Sequence, residues 1–580
     1  QNDFEQTPWR MNARQGVISA QGKLDVNTGP SINLTFGGSM NINNRTLADR
    51  GNSLLNFTNF GVAKSFDWRV FGRLTQRFSN DREGGASKIG SAFYSLMIDY
   101  SKQKGEFYDR NHQFNLFNYG HVGTYTTRRP SYGYDDVAKV YRHNGFRDLL
   151  VDFVPSETNA TLAAITTQYY SIYEGQAAGN YENLFQIQQG NALRNGDLPQ
   201  SVYDIWSNIG APYNAFGKNE NDQFRITGSG SANIGDHSLS IGFEYEQRWD
   251  RGWGSGDVAI TSIWTNARQL ANSHIQELDL SSGTQSDSGS IKKITYNRLN
   301  TGYAYNSGTG DYGGQGGKQD INGNTIFDAQ SFFDYNLRQK LGYDVAGTDF
   351  IDIDQYDPNT FTLDMFTPDE LFNSGNSFVS YYGYDHTGKK VRGKTDVNSY
   401  FEKFDENGNY ERFIGAFQPI YVAGYLMDKF SFNDLVFNVG VRVDVFNANQ
   451  PVLKDPYLLY NSRTVKEARE LASTDPNTYD WVVIPTSMGD DYTVYVNDFK
   501  NPTAINGFRK DGVFYDAQGT QVSDPKLIDG PTGIQPWRLD PFQNAPNASA
   551  FKDYKPQINV MPRFLSQYQM KLLSLHTMIS

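Results

Sequence analysis

The sequence predicts an all-β protein: an antiparallel transmembrane β-barrel, partial in this chain, built from about ten long strands and carrying long extracellular loops. Three observations predict it. The chain is rich in rings and glycine, with 37 Tyr, 39 Phe, 8 Trp and 55 Gly among 580 residues, as expected of extended structure with aromatic girdles and many turns. Hydrophobicity alternates with a period of two over long stretches bounded by turn residues. The connections between those stretches are very unequal, some a tight pair of residues and others far beyond the usual loop.

The clearest alternating stretch is 435–446. There Leu435, Phe437, Val439, Val441, Val443 and Val445 point one way, and Asn438, Gly440, Arg442 and Asp444 the other. Segment 237–248 repeats the arrangement, with Leu239, Ile241, Phe243 and Tyr245 opposed by Ser238, Ser240, Gly242, Glu244, Glu246 and Arg248. In 223–235, Phe224, Ile226, Gly228, Gly230, Ala232 and Ile234 oppose Gln223, Arg225, Thr227, Ser229, Ser231 and Asn233. Gly235-Asp236 joins this pair as a tight hairpin, and Asn433-Asp434 does the same between 420–430 and 435–446. Strands of about twelve residues exceed the usual five or six and suit a tilted bilayer crossing, which needs roughly 9–11.

Weaker alternation marks 14–26, 32–42, 66–78, 92–100, 114–125 and 558–564, which brings the candidate strands to ten. Short helices are expected only at 263–271 and 465–472, inside loops. The large loops fall at about 126–222, 250–415 and 448–556. Short turns on one side and long loops on the other are the asymmetry of outer-membrane barrels. One feature resists the scheme: counting strands back from 235–236 and 433–434 puts the tight turn Thr28-Gly29-Pro30 on the long-loop side.

Composition excludes several classes of function. Zero cysteine removes disulfides, zinc–thiolate sites, iron–sulfur clusters and a cysteine nucleophile. A net charge of −12, without a basic patch, opposes nucleic-acid binding. No zinc-protease helix motif, nucleophile-elbow serine or P-loop is present, and the seven histidines are scattered, so no enzyme is expected. Gly308, Gly310 and Gly313 spell a dinucleotide fingerprint but have neither the strand before nor the helix after that it requires.

Segment 413–430, which includes Tyr425-Leu426-Met427-Asp428-Lys429-Phe430, is followed by Gly440-Val441-Arg442-Val443-Asp444. Together they resemble the paired strands of TonB-dependent outer-membrane receptors. The resemblance extends over 377–460, with Ser380-Tyr381-Tyr382-Gly383-Tyr384-Asp385 and Asp455-Pro456-Tyr457, and is nearest to the large-loop receptors of Bacteroidota related to starch-utilisation transporters. It implies an outer-membrane location and uptake of a nutrient (a glycan, peptide or chelate) driven by the TonB–ExbB–ExbD system, with a surface lipoprotein lid as a further partner. Members of that family carry an N-terminal plug and close a 22-stranded barrel. Nothing before residue 14 could hold a plug, and 571–580 lacks alternation. The expectation is therefore a barrel fragment without plug or final strands.

Candidate site residues follow from these readings. Arg225, Glu244, Glu246, Arg248, Arg442 and Asp444 are expected to face the lumen. Trp253, Trp264, Tyr381 and Tyr382 could stack on a ligand in the loops, the alternative being loop-core packing and an interfacial belt, to which Trp249 belongs. Asp320, Asn322, Asn324 and Asp328 occupy positions 1, 3, 5 and 9 of a calcium-type loop, a candidate Ca²⁺ site. Thr325 and Ser331 stand where that loop wants glycine and glutamate, and an Asx-rich turn is the alternative. Asp349, Asp352, Asp354 and Asp357 are expected to form a solvated acidic face rather than a cation site. The competing reading of the whole chain is a soluble or surface-exposed β-rich carbohydrate-binding protein, in which the same alternation buries an ordinary core.

Overall fold

Alternation of apolar and polar residues lets a strand present one greasy and one polar face, and antiparallel neighbours in register extend both faces. The computed structural model describes residues 8, 12–79, 89–137, 140–174, 184–275, 278–288, 291–298, 318–319, 325–326, 330–345, 347–394, 396–432, 435–530, 533–543 and 546–568. Its dominant element is a ten-stranded antiparallel sheet: β1 (Gln15–Gly29), β2 (Ile32–Leu47), β3 (Gly61–Ser79), β4 (Ile89–Asp109), β5 (Gly217–Ile234), β6 (His237–Ser255), β7 (Val379–Tyr382), β8 (Ile420–Phe432), β9 (Leu435–Asn447) and β10 (Gln557–Tyr568). Nine of these lie side by side in chain order, β1-β2-β3-β4-β5-β6-β8-β9-β10, and the short β7 adds to the far end of β6. β1 and β10 do not pair with each other, so the sheet of described strands is open.

Nine of the ten expected strands are these nine. Segment 114–125 is not one. Asp109 ends β4 by accepting hydrogen bonds from the backbone N–H groups of Asn111 and His112, and a 3₁₀ turn, Leu116–Asn118, follows. The adjacent Leu116 and Phe117 are both buried, which a half-exposed strand forbids. Only from Gly123 is the chain extended, and it then pairs Gly123–Asp135 with Val140–Pro155 in a separate two-stranded sheet.

Removing that strand restores the order of the turns. The connections after β1, β3, β5 and β8 are short and lie at one end of the sheet. Those after β2, β4, β6 and β9 leave the other end and span 48–60, 110–216, 256–419 and 448–556. The Thr28-Gly29-Pro30 turn thus joins the short-turn side. Gly235, at φ +60°, opens a two-residue hairpin between the paired Ile234 and His237, the mirror-type turn that suits right-twisted strands.

The long connections are folded rather than open loops. Their helices include α1 (Ala160–Glu174), α2 (Ile263–Leu270) and α3 (Phe332–Leu341). Of these only α2, as 263–271, is expected from the sequence. The core of connections 110–216 and 256–419 is aromatic, with Phe117, Trp264, Phe333, Phe361 and Phe366 all buried. A second unit, Asp396–Phe401 with Gln450–Lys555, has its own core of Val465, Ala468, Met488, Val494, Val496, Ile505, Phe508 and Trp537. Its helix α4 (Val465–Thr474), expected as 465–472, is started by a capping box between Thr464 and Glu467.

Candidate functional site

The sheet register assigns every strand residue to a face. Ile18, Met40, Val70, Ile98, Ile226, Ile241, Leu426, Val441 and Val560 share one face of the nine strands. Among the described residues nothing covers that face: Ile18 is 63% exposed, Ile241 60%, Phe243 52% and Leu426 52%. Rings lie toward both of its ends. Trp68 and Tyr100 pair at 5.4 Å on the long-loop side, where the half-buried Trp249 also sits; Phe78 and Tyr94 pair at 6.2 Å, and Phe430 and Phe437 at 5.4 Å, on the short-turn side. Each large aliphatic or aromatic side chain moved out of water is worth about 1.5–3 kcal/mol. A face of this extent would gain on the order of tens of kcal/mol from an apolar cover.

The opposite face is polar and holds all six residues expected to line a lumen. Arg225 opposes Glu246 and Thr227 opposes Glu244 across β5 and β6, while Gln223 opposes Arg248. Ala423 links this row to Asp444, and Tyr425 links it to Arg442. Charges there are paired, across strands or along one. Asp99, almost fully buried, takes hydrogen bonds from Arg69 Nε at 3.2 Å and Arg225 Nε at 3.0 Å; Arg225 also lies 3.8 Å from Glu244. Arg442 donates to Asp444 at 2.8 Å and to the Tyr421 hydroxyl at 2.9 Å. Sequence reading missed Asp99, Arg69 and Tyr421, although the Leu96, Ile98, Tyr100 alternation already sends Asp99 to this side.

The four candidate stacking rings part company. Trp264 is completely buried, with Nε1 donating to the Phe117 carbonyl at 3.0 Å, and Tyr381 is buried against Phe372 at 5.6 Å with its hydroxyl donating to the Arg412 carbonyl. Both belong to the loop core and cannot stack on a ligand, which corrects that expectation for them. Tyr382 is half-buried against Phe417 at 4.8 Å. Trp253 is buried to the same degree as Tyr381, and it borders a cavity.

That cavity measures about 330 Å³ and lies among connections 110–216 and 256–419 at the end of β5 and β6. Phe114 and Trp253, 5.7 Å apart, hold the ammonium of Lys218 between them, at 4.3 and 5.0 Å from the ring centres. The turn 385–389 closes another side. Asp385 Oδ1 accepts from the N–H groups of Thr387 and Lys389 and from the Thr387 hydroxyl. Gly388, at φ +82°, lies so close to Trp253 that a Cβ there would meet the indole at 2.8 Å. No sequence pattern could bring Phe114, Lys218 and Lys389 together, because three separate segments supply them.

Buried charge ties the two connections into one scaffold. Arg268 of α2 forms a bidentate pair with Asp354, at 2.6 and 2.8 Å, and donates to the Asn195 carbonyl. Asn195 in turn donates to Asp354 and accepts from the N–H groups of Val122 and Gly123. Burial pushes the Asp354 carboxyl up, but Arg268 and Asn195 outweigh that and hold it below the usual carboxylate range. Asp352 is also buried and accepts from Thr127. The acidic run is therefore not a solvated face: two of its four carboxylates are internal and partnered, because the fold brings donors from distant segments onto them.

Further inside, Glu370 sits at the N-terminus of α3. It accepts from the N–H of Phe332 at 2.7 Å and from Thr367 at 3.0 Å, and its complete burial pushes its carboxyl up to about 7. His121 stacks on Trp264 at 5.6 Å and, desolvated, is pushed down to about 4, which keeps it neutral at ordinary pH.

Asp320, Asn322, Asn324 and Asp328 lie outside the described residues. Ser331, twelfth position of that expected calcium loop, is instead the N-cap of α3, accepting from the Asp334 N–H at 3.0 Å. Among the described residues no cluster of three or more His, Asp or Glu is placed to hold a metal ion. No family model matches the chain, and no curated protein is significantly similar to it.

Proposed function

We propose that this chain is the barrel-forming part of a TonB-dependent receptor of the cell outer membrane, taking up a nutrient captured by its long connections. The observation that supports this best is the uncovered apolar face running across nine strands, with rings toward both ends, on a meander whose short turns all lie at one end. Strands of 12–21 residues across this face exceed what a bilayer crossing requires. In this reading lipid covers the apolar face, and the row of Arg225, Glu244, Glu246, Arg248, Arg442 and Asp444 faces the lumen. The unpaired edges of β1 and β10 are where further strands close the barrel, since an open edge of such length invites pairing. The folded connections form the extracellular capture surface, the TonB–ExbB–ExbD system supplies energy, and a surface lipoprotein covers the entrance. Among the described residues no helix is long and apolar enough to cross a membrane, which has no bearing on strands.

The chain's lack of cysteine makes a direct test clean. Single-cysteine variants Ile241→Cys and Ser240→Cys, on opposite faces of β6, are labelled with an environment-sensitive dye after reconstitution in lipid vesicles. The label at 241 is expected to be blue-shifted and quenched by nitroxide-bearing lipids, and that at 240 to be insensitive to them. Equal behaviour at the two sites, or a chain that stays monodisperse in buffer without detergent, refutes the membrane reading and favours a β-rich binding protein whose apolar face is covered by protein.

A further inference from the structure

We propose that the cavity bordered by Phe114, Trp253 and Lys218 is a binding site for a sugar acid, a compact polyhydroxylated ring bearing a carboxylate. The inference deepens the reading of the long connections as a capture surface and rests on it for its biological setting. The binding itself depends only on the cavity. At about 330 Å³ it lies at the lower end of the range for small-molecule sites, roughly 300–1,000 Å³.

Lys218 decides the sign of the ligand. It is a half-buried residue whose ammonium is held by the faces of two rings, an arrangement that fixes a cation. No carboxylate among the described residues forms an ion pair with it. Lys389 adds a second positive charge on the wall. An ammonium without an ion-pair partner among the described residues gains most from an anion that reaches into the cavity.

The rest of the wall decides what carries that anion. Asn115, Asn118, Asn359 and Thr362 line the wall with amide and hydroxyl groups, which both donate and accept as sugar hydroxyls do, while Thr387, its hydroxyl already donating to Asp385, can only accept. Asp364 is an acceptor for hydroxyl hydrogens, and the partly exposed Phe114 and Leu363 supply apolar surface for the C–H face of a ring. Inorganic phosphate can accept from the amides and hydroxyls of this wall but has no C–H face to set against its apolar surface. An extended peptide would need a run of free backbone partners, and none of the nine strands ends in this cavity with a free edge.

Detergent-solubilised full-length chain is titrated calorimetrically with the disaccharides of galacturonate and glucuronate and with sialic acid. The neutral galactose and glucose disaccharides, inorganic phosphate and acetate are run in parallel. At least one sugar acid is expected to saturate the protein, with its neutral counterpart weaker by about tenfold or more, as loss of a charged hydrogen bond implies. Lys218→Met is expected to weaken that sugar acid by a similar factor, Lys218→Arg to restore most of it, and Lys403→Met, outside the cavity, to change nothing. In the unmodified protein, acylation of Lys218 by an amine-specific reagent, read by mass spectrometry, is expected to slow when the sugar acid is present.

The proposal is overturned if no sugar acid binds, if neutral sugars bind equally well, if phosphate binds as tightly as the sugar acid, or if Lys218 is not protected. Sugar-acid binding by a chain that needs no detergent would remove the membrane reading and keep the site. A detergent-requiring chain that binds no sugar acid would do the reverse.

Discussion

Glu370 shows how a single carboxyl records its surroundings. Burial raises it from 4.5 to about 7, although three backbone N–H groups favour its charged form. A carboxyl raised by folding binds a proton more tightly in the native state, so its contribution is fully present below pH 4.5 and is lost as pH rises through about 7. His121 acts in the opposite direction. Its depressed value makes its contribution complete above pH 6.5 and lost as pH falls toward about 4. The two windows overlap, so the informative quantity is the difference between the protein and a variant. Glu370→Gln is expected to remove the Glu370 slope between pH 4.5 and 7 and to destabilise the connections by about 1–3 kcal/mol, because its amide N–H₂ confronts the Thr367 N–H. Denaturation followed by tryptophan fluorescence, Trp264 being in the same core, measures both; parallel pH curves for the two proteins would show that Glu370 does not titrate in this window.

At the scale of single elements, the strands were legible because alternation is a local property. In 237–248 and 435–446 each residue's face can be read from its neighbours alone, and the register bears this out residue by residue. Segment 114–125 misled because its rings sit at spacings that imitate a strand, whereas Asp109 turns the chain and Leu116 and Phe117 both bury. Helix α3 was missed although Ser331 and Gly342, the latter at φ +74°, are ordinary start and stop residues, since the oxygen-rich text before it reads as a calcium loop. Within the sheet, Gly242 of β6 lies beneath the ring of Tyr425 on β8, where a Cβ would meet the ring at 2.3 Å. Gly242→Leu is expected to displace that ring and to cost about 1–3 kcal/mol, the usual penalty of overpacking. Chemical denaturation compared with Gly242→Ala checks it, and a leucine variant as stable as the original would mean the ring is free to move aside.

For the molecule as a whole, the arrangement of connections matters more than any one of them. With nine strands in chain order, every second connection is free to lengthen without disturbing the pairing, and those connections hold almost all of the buried core. The insertion between β9 and β10 goes furthest. Its chain ends are drawn together where Pro451–Leu453 pairs with Phe551–Asp553, and Tyr554 N donates to the Gln450 carbonyl at 3.2 Å. A segment with its own core and adjacent ends can fold alone. Residues 450–555 expressed by themselves are therefore expected to be soluble and to unfold in one cooperative thermal transition, seen by near-ultraviolet circular dichroism through Trp481 and Trp537. A broad, non-cooperative melt would show that this unit depends on the rest of the chain.

The sequence by itself determined which residues extend, which face each one takes and where the short hairpins lie, because period and turn chemistry act between near neighbours. It also placed Arg225, Glu244, Glu246, Arg248, Arg442 and Asp444 together on one side before any pairing was known. Only the tertiary structure decided that Trp264 and Tyr381 are core, that Asp352 and Asp354 are internal, and that Phe114, Lys218 and Lys389 meet at one cavity. Those outcomes depend on segments far apart in the chain filling the same space, and no local pattern encodes which distant ring or donor will arrive.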